Sequence, residues 1–305
     1  MVEPLLESSA STAQPAGEAN TETRLWTSLA RLIRLPNQSG TLLLMLPTLW
    51  ALVFASHGRP SLTLLLIFAA GSFLMRSAGV VMNDLADRSF DRRVERTRTR
   101  PLTSGAVTVR QALLTMTILL IMAGGLLLLL NSSAVALSPV AVLLAAIYPF
   151  SKRVLALPQA ILGIAFGWGV IMAWAAVTQS VPLPAWLLYG ATICWAVAYD
   201  TIYALQDRED DFRIGVRSSA ILFGSYAWVA VGGCLMLMLL LLGLTGWLHG
   251  LNAGFYGMLA AIAGFFMQQV LALRKALSPT QAFRFFKQHV WVGWSILVGI
   301  WIGFL

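Results

Sequence analysis

The stretch from Ser61 to Asp91 reads SLTLLLIFAAGSFLMRSAGVVMNDLADRSFD and joins two segments of opposite character. Up to Met82 it is apolar with the single exception of Arg76, and it supplies about the 20 residues a helix needs to cross about 30 Å of hydrocarbon. From Asn83 onward it carries Asp84, Asp87 and Asp91 in quick succession. Backbone inside hydrocarbon has no water to bond, so the apolar part predicts a membrane-spanning helix with the acidic part at its polar end.

Similar apolar runs recur at 38–56, 111–130, 134–150, 158–177, 185–205, 218–246, 253–273 and 289–305; with 61–82 they make nine expected spans. The 305 residues are 58% hydrophobic and 11% charged, with a mean hydropathy of +0.76, more apolar surface than one globular core can bury. The expected fold class is therefore all-α, a polytopic membrane bundle of about nine transmembrane helices whose partner is the lipid bilayer.

Loops that stay in the cytoplasm keep Lys and Arg. Arg24, Arg31 and Arg34 precede the first expected span, and Arg88, Arg92, Arg93, Arg96, Arg98, Arg100 and Arg110 lie around the second connection. Lys152 and Arg153 follow the fourth span, Arg208, Arg213 and Arg217 the sixth, and Arg274, Lys275, Arg284 and Lys287 the eighth. The alternate connections, near 57–60, 131–133, 178–184 and 247–252, hold only Arg59. This asymmetry predicts a multi-pass protein with a cytoplasmic N-terminus and, with nine spans, a C-terminus outside; the cell inner membrane is the expected location. The net charge of +8 then reports topology, and no nucleic-acid partner is expected.

Residues 1–23 are rich in Ser, Thr, Ala and Glu without hydrophobic periodicity, which predicts a disordered tail ahead of a single membrane domain at 24–305. Cys194 and Cys234 fall within expected spans and read as small core residues. His57, His249 and His289 are scattered at span edges without ligand spacing.

Outside the tail, acidic residues concentrate in two places. On a helix Asn83, Asp87 and Asp91 stand at i, i+4 and i+8, one stacked face. The second cluster runs from Asp200 to Asp211, and Asp200, Tyr203, Asp207 and Asp211 form another helical stripe, with Glu209 and Asp210 pointing elsewhere. Carboxylates stacked at one-turn intervals repel unless a cation sits among them, and hard oxygen ligands suit Mg²⁺, which shares its shell with substrate phosphates. The competing arrangement is a solvated loop in which the carboxylates pair with neighbouring arginines. Arg76, two turns before Asn83, faces the same cavity to meet a diphosphate or a carboxylate, or serves as an ion pair within the bundle. The segment RRVERTRTRPLTSG at 92–105 reads as a shaped loop able to cap the site.

These residues resemble the UbiA-type intramembrane prenyltransferases, and within them the branch that prenylates 4-hydroxybenzoate. The family pattern N-D-x-x-D-x-x-x-D is matched by Asn83, Asp84, Asp87 and Asp91, and D-x-x-Y-A-x-x-D-x-x-x-D by Asp200, Tyr203, Ala204, Asp207 and Asp211. LPTLWAL at 46–52, RPLTSGAV at 100–107, YPFSKR at 148–153 and GVRSSAILFG at 215–224 are similar to that branch. Asn37-Gln38 and Phe285-Phe286-Lys287-Gln288-His289 depart from it.

The resemblance implies a central cavity open to the cytoplasmic side and an Mg²⁺-dependent transfer of a polyprenyl group from polyprenyl diphosphate to C3 of 4-hydroxybenzoate, a step of ubiquinone biosynthesis. Asn83, Asp87, Asp91, Asp207 and Asp211 are then expected to hold Mg²⁺, and Arg76, Arg88 and Lys152 to stabilise the diphosphate. Arg153 and Arg34 are expected to fork onto the acceptor carboxylate, while Asp200 and Tyr203 orient the phenol or take its proton. Trp168, Trp174 and Trp195 are expected mainly as packing. No obligate protein partner is implied. A relative with another acceptor, and more remotely a multi-span transporter, are the alternative readings.

Overall fold

In the computed structural model, which describes residues 18–305 except for the side chains of residues 18–23, Lys152 and Ile214, the chain is a succession of helices. In chain order they are α1 (Glu18–Leu32), α2 (Ser39–Ala55), α3 (Leu62–Asp91), α4 (Val109–Leu127), α5 (Ser132–Val154) and α6 (Pro158–Thr178). They continue with α7 (Leu183–Ala204), α8 (Arg208–Ile214), α9 (Ser219–Phe223), α10 (Ala227–Leu248), α11 (Ala253–Ala272) and α12 (Pro279–Gly303). No strand occurs among the described residues, and the all-α expectation stands. Of the expected tail, residues 1–17 lie outside the described residues, and the backbone of 18–23 opens α1.

The helix ends follow local chemistry. Thr108 and Gln111 form a reciprocal capping box at the start of α4, and Ser278 and Gln281 do the same for α12. Asn131 and Asn252 cap α5 and α11. The cap at Ser278 starts α12 ten residues before the expected span at 289–305, because a capped Pro279 turn can begin a helix in polar sequence.

Each expected span except 218–246 coincides for most of its length with one helix, but length and apolarity qualify six stretches among the described residues: Leu62–Asp91, Val109–Leu127, Ser132–Ser151, Pro158–Thr178, Ser219–Leu248 and Ala253–Ala272. Shorter α2, with 17 residues, is apolar yet falls short in length, and α7 and α12 carry polar residues within their spans. The expected run at 218–246 is broken: α9 ends at Gly224, whose φ of 52° suits a residue without Cβ, and one 3-10 turn at Gly224–Tyr226 precedes α10.

Helix α2 is the axis of the bundle. It packs against α3, α6, α7 and α12, and every residue from Leu46 to Ala55 is buried. Trp50 packs against Trp195 of α7 with ring centres 5.0 Å apart and planes tilted by 35°, and donates its indole N–H to the Gly293 carbonyl of α12 at 2.9 Å. A Cβ on Gly293 would fall 2.6 Å from Leu46 and 2.9 Å from Trp195, so glycine is what lets α12 approach this closely.

Two features position the polar end. With 30 residues at about 1.5 Å each, α3 is roughly 45 Å long, well beyond the hydrocarbon thickness, so its last turns carry Asn83 to Asp91 past the apolar run. A small core of Leu32, Val81, Leu102, Val107 and Ala112 then ties α1 and the α3–α4 connection to α3 and α4. Buried Thr97 donates its hydroxyl to the Asp91 carbonyl at 2.9 Å, holding the connection against the end of α3.

The second acidic motif departs from the expected continuous stripe. Helix α7 stops at Ala204, the chain turns, and α8 restarts with Asp207 at its N-cap. Glu209, Asp210 and Asp211 fill the first turn of α8, where negative charge favours a helix start.

Candidate active site

The two motifs face each other across a cavity of about 200 Å³ lined by Asn83, Asp87, Asp91, Asp200, Tyr203, Asp207 and Asp211, together with Arg96 and Arg100. A larger cavity of about 770 Å³ shares Asn83, Arg96, Arg100, Tyr148, Asp200 and Tyr203 with it. The larger one extends between apolar walls that include Leu43, Phe68, Leu120, Leu127, Leu162, Phe166 and Met172. A charged chamber and an apolar one therefore have six residues in common. All seven residues expected to bind metal or take part in the chemistry line the smaller chamber.

Arginines hold several of these carboxylates. Arg34 donates from Nη2 to both oxygens of Asp84 at 2.9 Å, and Arg100 donates from Nη1 to Asp84 at 3.1 Å and to Asp91 at 2.8 Å. Asp84, with 1% of its side chain exposed, is thus neutralised from two sides, as a buried carboxylate requires. Arg96 forks onto Asp207 with Nε at 2.8 Å and Nη2 at 2.6 Å, and donates from Nη1 to the Tyr203 hydroxyl at 3.2 Å. Burial, the largest single influence, works against the charge of Arg96, but the hydrogen bonds to Asp207 together with the fields of Tyr203, Asp207 and Asp91 hold its pKa above the ordinary arginine value.

The other expected residues separate. Arg76 lines the large cavity, its guanidinium 5.7 Å from the centre of the Phe166 ring. It fits there because position 40 is glycine: a Cβ on Gly40 would lie 2.7 Å from Arg76 Nη2. Arg34 lines the same cavity while paired to Asp84. Arg153 reaches neither chamber; it donates to the Ala86 carbonyl at 2.7 Å and lies over the rings of Phe90 and Phe150. Arg88 also lines neither chamber, and its buried Nε finds no hydrogen-bond partner among the described residues. The Lys152 side chain is outside the described residues. Trp168 lines the large cavity, whereas Trp174 and Trp195 are packed in the core.

Residues the sequence left without a role here are Asp84, Arg96, Arg100, Tyr148 and Phe166. The one signal for the loop pair was the Arg100-Pro101 turn, since Pro at that place fixes the backbone that aims Arg100.

The five expected metal ligands in the small chamber, the Asn83 amide and the carboxylates of Asp87, Asp91, Asp207 and Asp211, offer hard oxygens that suit Mg²⁺ and disfavour soft metals. Among the described residues no three His, Cys, Asp or Glu side chains converge tightly enough to enclose an ion unaided.

Residues 44–296 match the UbiA prenyltransferase family, and the chain belongs to that family. A 4-hydroxybenzoate octaprenyltransferase from Yersinia pseudotuberculosis serotype IB (strain PB1/+) is 46% identical over 280 residues, covering 92% of this chain and 96% of the relative. Among solved structures, the apo UbiA homolog from Aeropyrum pernix K1 superposes with a TM-score of 0.72 at 27% identity, over 86% of this chain and 98% of that one. A UbiA homolog from Archaeoglobus fulgidus bound to GPP and Mg²⁺ has a TM-score of 0.64 at 17% identity, over 89% of this chain and 99% of that one, and shares the fold.

Proposed function

We propose that this chain transfers a polyprenyl group from polyprenyl diphosphate to C3 of 4-hydroxybenzoate, releasing diphosphate, at the cytoplasmic face of the inner membrane. The observation that carries the reading is the pair of chambers: two acidic motifs face a polar one, and an apolar one shares six of its residues. Diphosphate and prenyl chain need those two environments side by side. The orientation rests on the basic connections, which gather on the side that holds both acidic motifs.

Asn83, Asp87, Asp91, Asp207 and Asp211 would hold Mg²⁺, which when bound neutralises the diphosphate as the allylic C–O bond breaks. The apolar walls of the large chamber keep water from the reacting carbon. A guanidinium forks onto a carboxylate through two parallel bonds, and the two arginines lining that chamber away from the polar loop are Arg34 and Arg76. Arg76 is the first choice to seat the acceptor carboxylate, since Phe166 backs it and Arg34 already holds Asp84. Arg153 would have to leave Ala86 to serve. Arg88 and Lys152 are the remaining candidates for the diphosphate. Aromatic substitution needs no nucleophilic side chain; the Asp200 carboxylate takes the proton displaced from the ring, and Tyr203 orients the phenol.

Membranes carrying the chain, incubated with labelled 4-hydroxybenzoate and a series of prenyl diphosphates, are expected to yield a 3-prenyl-4-hydroxybenzoate. Prenylation of a different acceptor and not of this one would sink the reading.

A further inference from the structure

Two arginines of the α3–α4 connection engage both acidic motifs at once. Arg100 bonds Asp91 of the first, and Arg96 forks onto Asp207 of the second, 111 residues further along the chain. Their settings differ. Arg100 is 19% exposed and braced by Asp84 as well as Asp91, whereas Arg96 is 41% exposed and rests on Asp207 and the Tyr203 ring, 5.6 Å from its centre. Of the two, the Arg96 pair is the less expensive to break, because its members are 41% and 16% exposed, whereas Arg100 is 19% exposed and its partners Asp84 and Asp91 are 1% and 9% exposed.

Arg96 uses both oxygens of Asp207, through Nε and Nη2. A hard divalent cation draws on the same oxygens. A guanidinium that fits a carboxylate fork also fits two phosphate oxygens. We propose that Arg96 is a counter-ion latch: it competes with the divalent cation for Asp207, and once displaced it pairs with the donor's diphosphate. This inference rests on the reading of Asp207 as a metal ligand.

The test separates the two halves by sign. With the full chain in lipid nanodiscs, Mn²⁺ binding is titrated by electron paramagnetic resonance, and inorganic diphosphate is then titrated at saturating Mn²⁺. Arg96→Gln is expected to tighten Mn²⁺ binding roughly two- to fivefold, the range of a half-exposed ion pair, and to weaken inorganic diphosphate by about tenfold. Arg96→Lys, which keeps the charge without the fork, should tighten Mn²⁺ while retaining part of the diphosphate affinity. A purely structural bridge would move both affinities in one direction or neither. Unchanged or weaker Mn²⁺ binding in Arg96→Gln would overturn the latch, and tighter Mn²⁺ with unaltered diphosphate would overturn the hand-over. Asp207→Asn serves as the reference: if it weakens Mn²⁺ binding the metal reading stands whatever Arg96 does, and if it does not, both ideas fail together.

Discussion

Trp195 donates its indole N–H to Nδ1 of His289 across 2.9 Å, and neither side chain has any solvent exposure. That bond makes Nδ1 the acceptor and leaves the ring proton on Nε2, which meets Gln269 Oε1 at 3.1 Å. Three helices, α7, α11 and α12, are thereby pinned behind the cavity. His289→Leu keeps the bulk and strands two buried polar groups, so a loss of roughly 1–3 kcal/mol is expected. Thermal unfolding in detergent checks it, and a melting temperature equal to that of the parent chain would show that the bridge is idle.

The acidic motifs should fail as a unit. Asp87→Asn or Asp207→Asn is expected to lower prenyl transfer by at least about a hundredfold while the protein still inserts and accumulates, because each removes a hard ligand. EDTA should abolish activity in the parent chain and Mg²⁺ restore it. Full activity in either variant would dismiss that residue as a ligand.

Gly40→Ala puts a methyl where the Arg76 guanidinium now rests. The side chain can swing aside, so the fold should survive while the geometry of the anion site does not. The Michaelis constant for 4-hydroxybenzoate is expected to rise about tenfold, with that for the donor moving far less, since an ångström of misplacement is enough for such losses. Gly257→Ala, at a position with nothing within 4 Å, is the control. Equal behaviour of the two variants would deny Arg76 its role.

Arginines 76 and 153 make a second contrast. Arg76→Ala is expected to raise the Michaelis constant for the aromatic acid by about tenfold or more, the loss of a charge-assisted fork. Arg153→Ala, whose parent side chain bonds the Ala86 carbonyl, should shift it much less. Steady-state kinetics with each substrate varied in turn decides it, and the reverse order would return the carboxylate to Arg153.

The all-helical class and the meeting of the two acidic motifs were legible in the sequence because both rest on local rules. Hydrophobic run length marks a span, and i, i+4, i+8 spacing marks a face. The break after Ala204 was not read from the i, i+4 stripe: Asp is favoured at an N-cap, where Asp207 stands, and its carboxylate is engaged by Arg96 from a segment distant in sequence. Nor was the fate of Arg153. Its guanidinium lies over the Phe90 and Phe150 rings, the first of them on a helix distant in sequence, and no local pattern announces that packing. His289, in a segment that departs from the related branch, finds its place in the core through Trp195 and Gln269, partners distant in sequence.

The overlong α3 acts as a ruler. Its apolar section and the carboxylates of Asp87 and Asp91 belong to one unbroken helix, so a tilt or shift of the first carries the second with it. Lipids with longer or shorter acyl chains would therefore sink or lift the carboxylates relative to the headgroup plane where the diphosphate waits. Prenyl transfer measured in bilayers of graded acyl-chain length is expected to vary with thickness, and a flat profile would show that the helix absorbs the change by tilting.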